Sequence, residues 1–314
     1  MRISNKIVFI IIGAIGLYAL FLVVADFRTL STQIHSFKIQ YLPIVLLLVP
    51  CGWLSLYLRW MLLLKNSGIN PPAKKNLLIF MSGYALDITP GRIGQLIKSQ
   101  LLKSKFDVPY KTTAPLVLVE KVYDMVGAVA ASILGVWILG IGAYVILAAM
   151  VLLVIGFVII SSRIFFNKFI VLFGRFKFAS KIISPLSDSY ETVRNSCRGR
   201  IVIFASILSF LAWIIESLAV YFVLIAFGID TVNYLNIIST YASSLILGAA
   251  SFIPGGLGVA EGSLVGLLSL QGVKISSTLT PVVVIRVVTL WYSVIVGFFA
   301  LKLIGGLSIK NESS

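Results

Sequence analysis

Asp87, Arg92 and Lys98 crowd into the stretch DITPGRIGQLIK (87–98), beside Pro90, Gly91 and Gly94. A guanidinium on a Pro-Gly turn suits capture of an anionic oxygen, and it equally suits a salt bridge to Asp87 that holds the turn shut. A second turn, FIPGGLGVAEG (252–262), carries Pro254, Gly255, Gly256 and Gly258 and then Glu261. Glu120 and Asp124 are four residues apart and share a helix face, with Lys121 adjoining, while Glu216 and Arg286 each interrupt a long apolar run. In such a set, Arg92 and Arg286 would bind anionic oxygen, and Glu120, Asp124, Glu216 and Glu261 would bind a cationic group or relay a coupling ion. No Ser-His-Asp set, Cys-His pair or phosphate-binding lysine loop accompanies them, and the single histidine, His35, sits in an expected external loop. The reading is therefore not enzymatic, with no metal and no cofactor.

The elements that must position these residues are membrane helices. Of the 314 residues 59% are hydrophobic and only 12% are charged, far from the composition of ordinary soluble domains. Apolar runs at 7–25, 42–64, 114–140, 143–160, 201–227 and 281–304 are each near the roughly 20 helical residues that cross the hydrocarbon layer. They predict six transmembrane helices. The first follows Arg2 and Lys6 and reads as an uncleaved anchor, because its core is long for a signal peptide. Cys51 and Cys197 cannot build a disulfide framework.

The net charge of +15 would point to nucleic acid in a soluble protein; here it marks sidedness, and no nucleic-acid partner is expected. Arg163, Lys168, Arg175, Lys177, Lys181, Arg194, Arg198 and Arg200 crowd one loop, 163–200, which the positive-inside rule makes cytoplasmic. Both termini then fall on the same side of what reads as a plasma membrane. The phenylalanines of that loop recur at helical spacing, so it is either an amphipathic segment lying on the bilayer or a solvated linker.

The chain also repeats itself. PGRIG (90–94) is answered by PGGLG (254–258), and PLVLVEK (115–121) by PVVVIRV (281–287). Trp53 stands fifteen residues before GIN (68–70), as Trp213 does before GID (228–230). One half is 1–140, with a broken hairpin at about 76–105; the other is 141–162 with 201–305, its hairpin at about 233–274. Three crossings per half force opposite orientations. The expected fold is an all-α integral membrane protein, a single membrane domain with six transmembrane helices plus two re-entrant helical hairpins in an inverted-topology repeat. The arm 77–89 would rise about 20 Å as helix, enough for mid-membrane only, and a helix would start again near Ile93. Arg59 is expected to snorkel from its span end. Arg286, matching Glu120 or Lys121 in the repeat, either pairs with its opposite across the pseudo-symmetry axis or meets substrate.

At DITPGRIGQLIK, APLVLVEKVYD (114–124) and FIPGGLGVAEG the chain resembles the lysylphosphatidylglycerol synthase transmembrane-region family, the flippase-like domain proteins, over about residues 5–305. The usual first-tip glutamate is Gln95 here, and the usual Glu-Arg of the third span is Glu120-Lys121; the second-tip glutamate matches through Glu261. The resemblance implies movement of a phospholipid or lipid-linked head group between leaflets, with membrane lipids, anionic or lipid-linked, as partners. Synthase activity is not expected without a soluble domain. A secondary transporter of a small anion, or a non-transporting partner that presents lipid to a separate glycosyltransferase or aminoacyl transferase, are the alternatives, and a homo-oligomer is compatible with each.

Overall fold

A computed structural model describes residues 33–135 and 190–306, with scattered positions between them. The expected first span lies outside the described residues, as do most of 143–160 and of the basic loop. The described elements are all helical.

Helix α1 spans Leu42–Asn66, with Pro43 in its first turn, where no backbone donor is lost. It stops at Gly68, whose φ of +75° lets Ile69 N–H turn back to Leu64 O at 3.0 Å. A short helix α2, Ala73–Ser82, leads through a 3-10 turn at Gly83–Leu86 to the first tip, Pro90–Leu96. Helix α3, Ile97–Phe106, runs back, and α4, Tyr110–Ile133, follows. After the short α5, Tyr190–Ser196, the same order of elements recurs. Helix α6, Arg200–Ala226, ends at Gly228 with φ +77° and an Ile229 N–H to Leu224 O bond of 3.0 Å. Then come α7, Tyr234–Ala250; the second tip, Pro254–Gly256; α8, Val259–Ser269; and α9, Ile275–Arg286, continued through a π turn at Val287–Trp291 into α10, Tyr292–Leu303.

Three helical runs are long and apolar enough to cross a membrane among the described residues: Ile39–Asn66, Arg200–Ala226 and Ile275–Leu303. Helix α4 has comparable length, about 36 Å at 1.5 Å per residue, but it carries Glu120, Lys121 and Asp124 and packs against α6 and α7. Charges on a helix at membrane depth are tolerable only when turned into the protein.

The elements on either side of α5 interlock. Helix α7 packs on α4, and α2 with the Gly83–Leu86 turn packs on α10, while α1 and α6 join the halves and the two tips touch. Trp53 of α1 sits between Tyr84 and Tyr292 of α10, with tilted rings at 5.3 and 5.1 Å between centroids. Trp213 of α6 lies 6.2 Å from Tyr241 in its own half and donates its indole N–H to Asp124 O of α4 at 3.1 Å. The approach of α10 is so close that a Cβ on Gly297 would sit 2.1 Å from Ala85 N.

That crowding explains a difference from the expected first arm. The regular helix stops at Ser82 rather than running to Thr89, because Gly83–Leu86 tightens to 3-10 geometry where Gly297 presses on it and the Lys98 side chain lies over Gly83. Helical backbone resumes at Ile93, as expected, after the left-handed Gly91 and Arg92; it runs as a 3-10 turn to Leu96 and becomes regular α-helix at Ile97.

Candidate functional site

Proline dictates both tips. It holds the preceding residue extended, with ψ of 149° at Thr89 and 140° at Ile253. The next residue then turns left-handed, Gly91 at φ +59° and Gly255 at φ +63°, a conformation that costs glycine nothing. Arg92 adopts it too, at φ +54°, a strained state for a side chain of its kind. Thr89 secures the turn: its hydroxyl donates to Leu86 O at 2.7 Å and accepts Gly94 N–H at 2.8 Å. Gly94 is forced by space, since a Cβ there would lie 2.4 Å from Leu86 Cβ.

The charges form two buried clusters. In the first half, Lys98 of α3 bonds Glu120 of α4, its ammonium 4.5 Å from the Trp60 ring centre. Arg59 of α1 binds Asp124 at 2.7 Å, reaches Glu120 at 3.8 Å and donates to Ser209 Oγ at 2.7 Å. Lys121 closes on Asp124 at 3.0 Å. In the second half, Arg286 of α9 donates Nε to Glu261 of α8 at 2.6 Å and Nη2 to Gly255 O at 2.5 Å, while Gly258 N–H donates to the other Glu261 oxygen at 2.7 Å.

Two expectations need correction. Arg59 does not snorkel; it is 2% exposed, held among two carboxylates and a serine, because its span packs against α6. Glu120 and Arg286 do not pair across the halves either. Each finds its opposite on the returning arm of its own hairpin, which lies nearer than the other half's helix. Lys98 stands out in the sequence as a charge of the first turn but is given no role there, although a lysine inside the apolar arm QLIKSQLL signals a buried partner.

A cavity of about 180 Å³ opens between the tips. Gly91 and Arg92 form one wall and Gly255 and Gly256 the opposite one; Lys121, Asp124 and Met125 of α4 and Trp213 of α6 line the sides, with Leu245, Ile246 and Ala249 of α7 making an apolar face. Of the expected site residues, Gly91, Arg92, Lys121, Asp124, Gly255 and Gly256 meet there. Pro90, Gly94, Pro254 and Gly258 shape the tips from behind it, Glu120, Glu261 and Arg286 support it through ion pairs, and Glu216 bonds the Tyr241 hydroxyl at 2.7 Å just beyond Trp213. The lining from α7 and Trp213 escaped a search confined to charges and turns.

Arg92 is the loosest of the cations. It is 43% exposed and lies 4.0 Å from Asp87, whose other oxygen accepts from Gln95. The salt bridge expected to shut this tip is thus at the limit of contact. Across the site Arg59, Arg92, Lys98, Lys121 and Arg286 face five carboxylates, Asp87, Glu120, Asp124, Glu216 and Glu261, so the charges balance when all are ionised. Among the described residues no cluster of three or more His, Cys, Asp or Glu could hold a metal ion.

Known proteins resemble this chain in sequence. A UPF0104 membrane protein of Methanocaldococcus jannaschii is 23% identical over 67% of this chain and 89% of its own length. One from Pyrococcus horikoshii is 23% identical over 98% of both chains, and one from Methanothermobacter thermautotrophicus 31% identical over 34% of this chain and 35% of its own. The sequence profile of the lysylphosphatidylglycerol synthase transmembrane region matches residues 9–297, nearly the whole chain. This multi-pass membrane protein therefore belongs to the lysylphosphatidylglycerol synthase transmembrane-region family.

Proposed function

We propose that the protein is a flippase-like transporter that carries the head group of a phospholipid or lipid-linked compound between leaflets, the acyl chains staying in lipid. The observation that carries this reading is Arg92: half-exposed, only marginally paired, and facing a cavity bounded by both tips. A cation left without a close partner in an apolar protein needs an anion, and a cavity of this size holds a polar head group but not its chains. The apolar face from α7 gives the first methylenes somewhere to lie.

In this reading the chain has six spans and two re-entrant hairpins in inverted orientation, with both termini in the cytoplasm of a cell whose plasma membrane it occupies. The matched order of elements, the equivalent glycine stops at Gly68 and Gly228, and the packing of α7 on α4 and of α2 on α10 support it. Alternating access would then rock one tip against the other around the cavity. In this reading the carboxylates near the cavity serve to hold cations or to accept from Tyr241 rather than to catalyse a reaction. A lipid-presenting role beside a separate transferase would use the same pocket without net transport.

The test is a leaflet assay in proteoliposomes with head-group-labelled phosphatidylglycerol, quenched from outside. Wild-type protein should move label between leaflets and Arg92→Ala should not. Equal rates in the two would sink the assignment of Arg92, and binding without movement would favour the presenting role.

A further inference from the structure

Glu216 is set apart from the other carboxylates of the site. Asp124 has Arg59 and Lys121, Glu120 has Lys98, and Glu261 has Arg286 and the Gly258 amide. Asp87 accepts from Gln95 and lies beside Arg92. Glu216, in the middle of the 27-residue helix α6, has no cation within 4.0 Å among the described residues, and its hydrogen bond comes from the Tyr241 hydroxyl. Both residues adjoin the cavity, for Trp213 one turn before Glu216 and Leu245 one turn after Tyr241 line it.

We propose that Glu216 is the proton-binding site of the transport cycle, taking up one proton when an anionic head group binds at Arg92. This rests on the head-group reading above. With Glu216 ionised, the five cations and five carboxylates of the site cancel, and a further anion would be an unbalanced charge at membrane depth, which is costly. With Glu216 protonated, one positive charge is left over, and Arg92 is the cation placed to meet the anion. A proton and a head-group monoanion then enter together as a neutral load. The proton comes from water, forms an O–H bond on the Glu216 carboxylate and leaves when the anion does.

The groups whose charge Glu216 feels come from several elements: Tyr241 on α7, Arg92 and Asp87 on the first tip, and Arg286 on α9. Asp87 and Arg286 are engaged elsewhere, and the Tyr241 hydroxyl, a donor here, favours the ionised carboxylate. Tyr84, in the Gly83–Leu86 turn, feels Glu216 as well. On neighbouring α1 and α4, Arg59, Lys121 and the carboxylates they hold form a closed set.

Calorimetry with detergent-solubilised protein and dihexanoyl phosphatidylglycerol, in two buffers of different ionisation enthalpy, counts protons taken up per ligand bound. Wild type should take up about one proton where Glu216 starts ionised, and its affinity should fall by about tenfold per pH unit there. Glu216→Gln, which still accepts from Tyr241, should bind with no uptake and with affinity independent of pH. Tyr241→Phe should keep the uptake and move it to higher pH, because the donor that favours the anion is gone. Binding without uptake in wild type, or uptake persisting in Glu216→Gln, overturns the proton site alone; no binding by wild type at any pH overturns the head-group reading and this inference with it.

Discussion

Arg286 holds Glu261 at 2.6 Å, and this pair is the charge-reversed counterpart of Glu120 with Lys98. In both halves the returning arm of a hairpin is tied to the helix that follows it, five residues past a proline, Pro115 or Pro281. Reversal matters energetically. With the signs exchanged, the two arms cannot swap helices, since Lys98 would then meet Arg286 and Glu261 would meet Glu120, like charges in both cases. The net contribution of each buried pair to stability is small, because desolvation of both charges offsets their attraction.

Removing one member of such a pair strands a buried charge, and here both partners of Lys98–Glu120 are at most 2% exposed. Lys98→Met should therefore lower stability by about 3–5 kcal/mol, and Lys98→Met with Glu120→Gln should recover a large part of it. Thermal melting of the two variants in detergent measures this. A double variant no more stable than Lys98→Met would show that packing over Trp60 and Gly83, not charge, holds Lys98 in place.

Arg92 should behave in the opposite way. Its contact with Asp87 is long and its side chain is partly open, so Arg92→Gln should shift the melting temperature little, as exposed ion pairs contribute about 0–1 kcal/mol. The same substitution should abolish leaflet exchange of labelled phosphatidylglycerol. A glycine at this left-handed position should relieve strain and raise stability slightly while still losing transport.

Much of this architecture was legible in residues 53, 68, 90–94, 213, 228 and 254–258. Glycine and proline at fixed spacing announce turns, and each announced turn is where the sequence places it. The partners of the charges were not legible. Arg59 read as a span-end residue because hydropathy locates a residue along a helix but not around it, and burial here depends on which face α6 covers. The pairing of Glu120 with Lys98 rather than with Arg286 depends on the return path of the hairpin, a tertiary fact with no periodic signature. The apolar wall from α7 was hidden for a related reason: in a chain this rich in leucine and isoleucine, lining and packing residues look alike.

Gly297 makes a sharper test of how α10 meets the first hairpin than any charge. A methyl there would collide with Ala85 N at 2.1 Å and Tyr84 C at 2.7 Å, both backbone atoms that cannot rotate away. Gly297→Ala should push α10 off the Gly83–Leu86 turn and destabilise by about 1–3 kcal/mol, as overpacking does. Gly266→Ala, with open space around its position, is the control and should melt like wild type. Equal melting temperatures for the two would mean that α10 and the first hairpin are not in such contact.

The thiol of Cys197 offers a check outside the membrane spans. It lies between α5 and α6, 9% exposed, in a cluster with Val193, Leu63 and Tyr123, and burial pushes its pKa up to about 11. Only the thiolate attacks a maleimide, so at pH 7 this residue should react far more slowly than an ordinary cysteine with a pKa of about 8.5. The rate should keep climbing beyond pH 9, where the ordinary residue has levelled off. Because the folded state holds the proton more tightly than the unfolded chain, its contribution to stability is complete below about pH 8.5 and is lost as the pH rises toward 11. Both readouts belong in a Cys51→Ser background, since Cys51 is exposed. A labelling rate that plateaus near pH 9 would mean that α5 does not cover Cys197 as the structure has it.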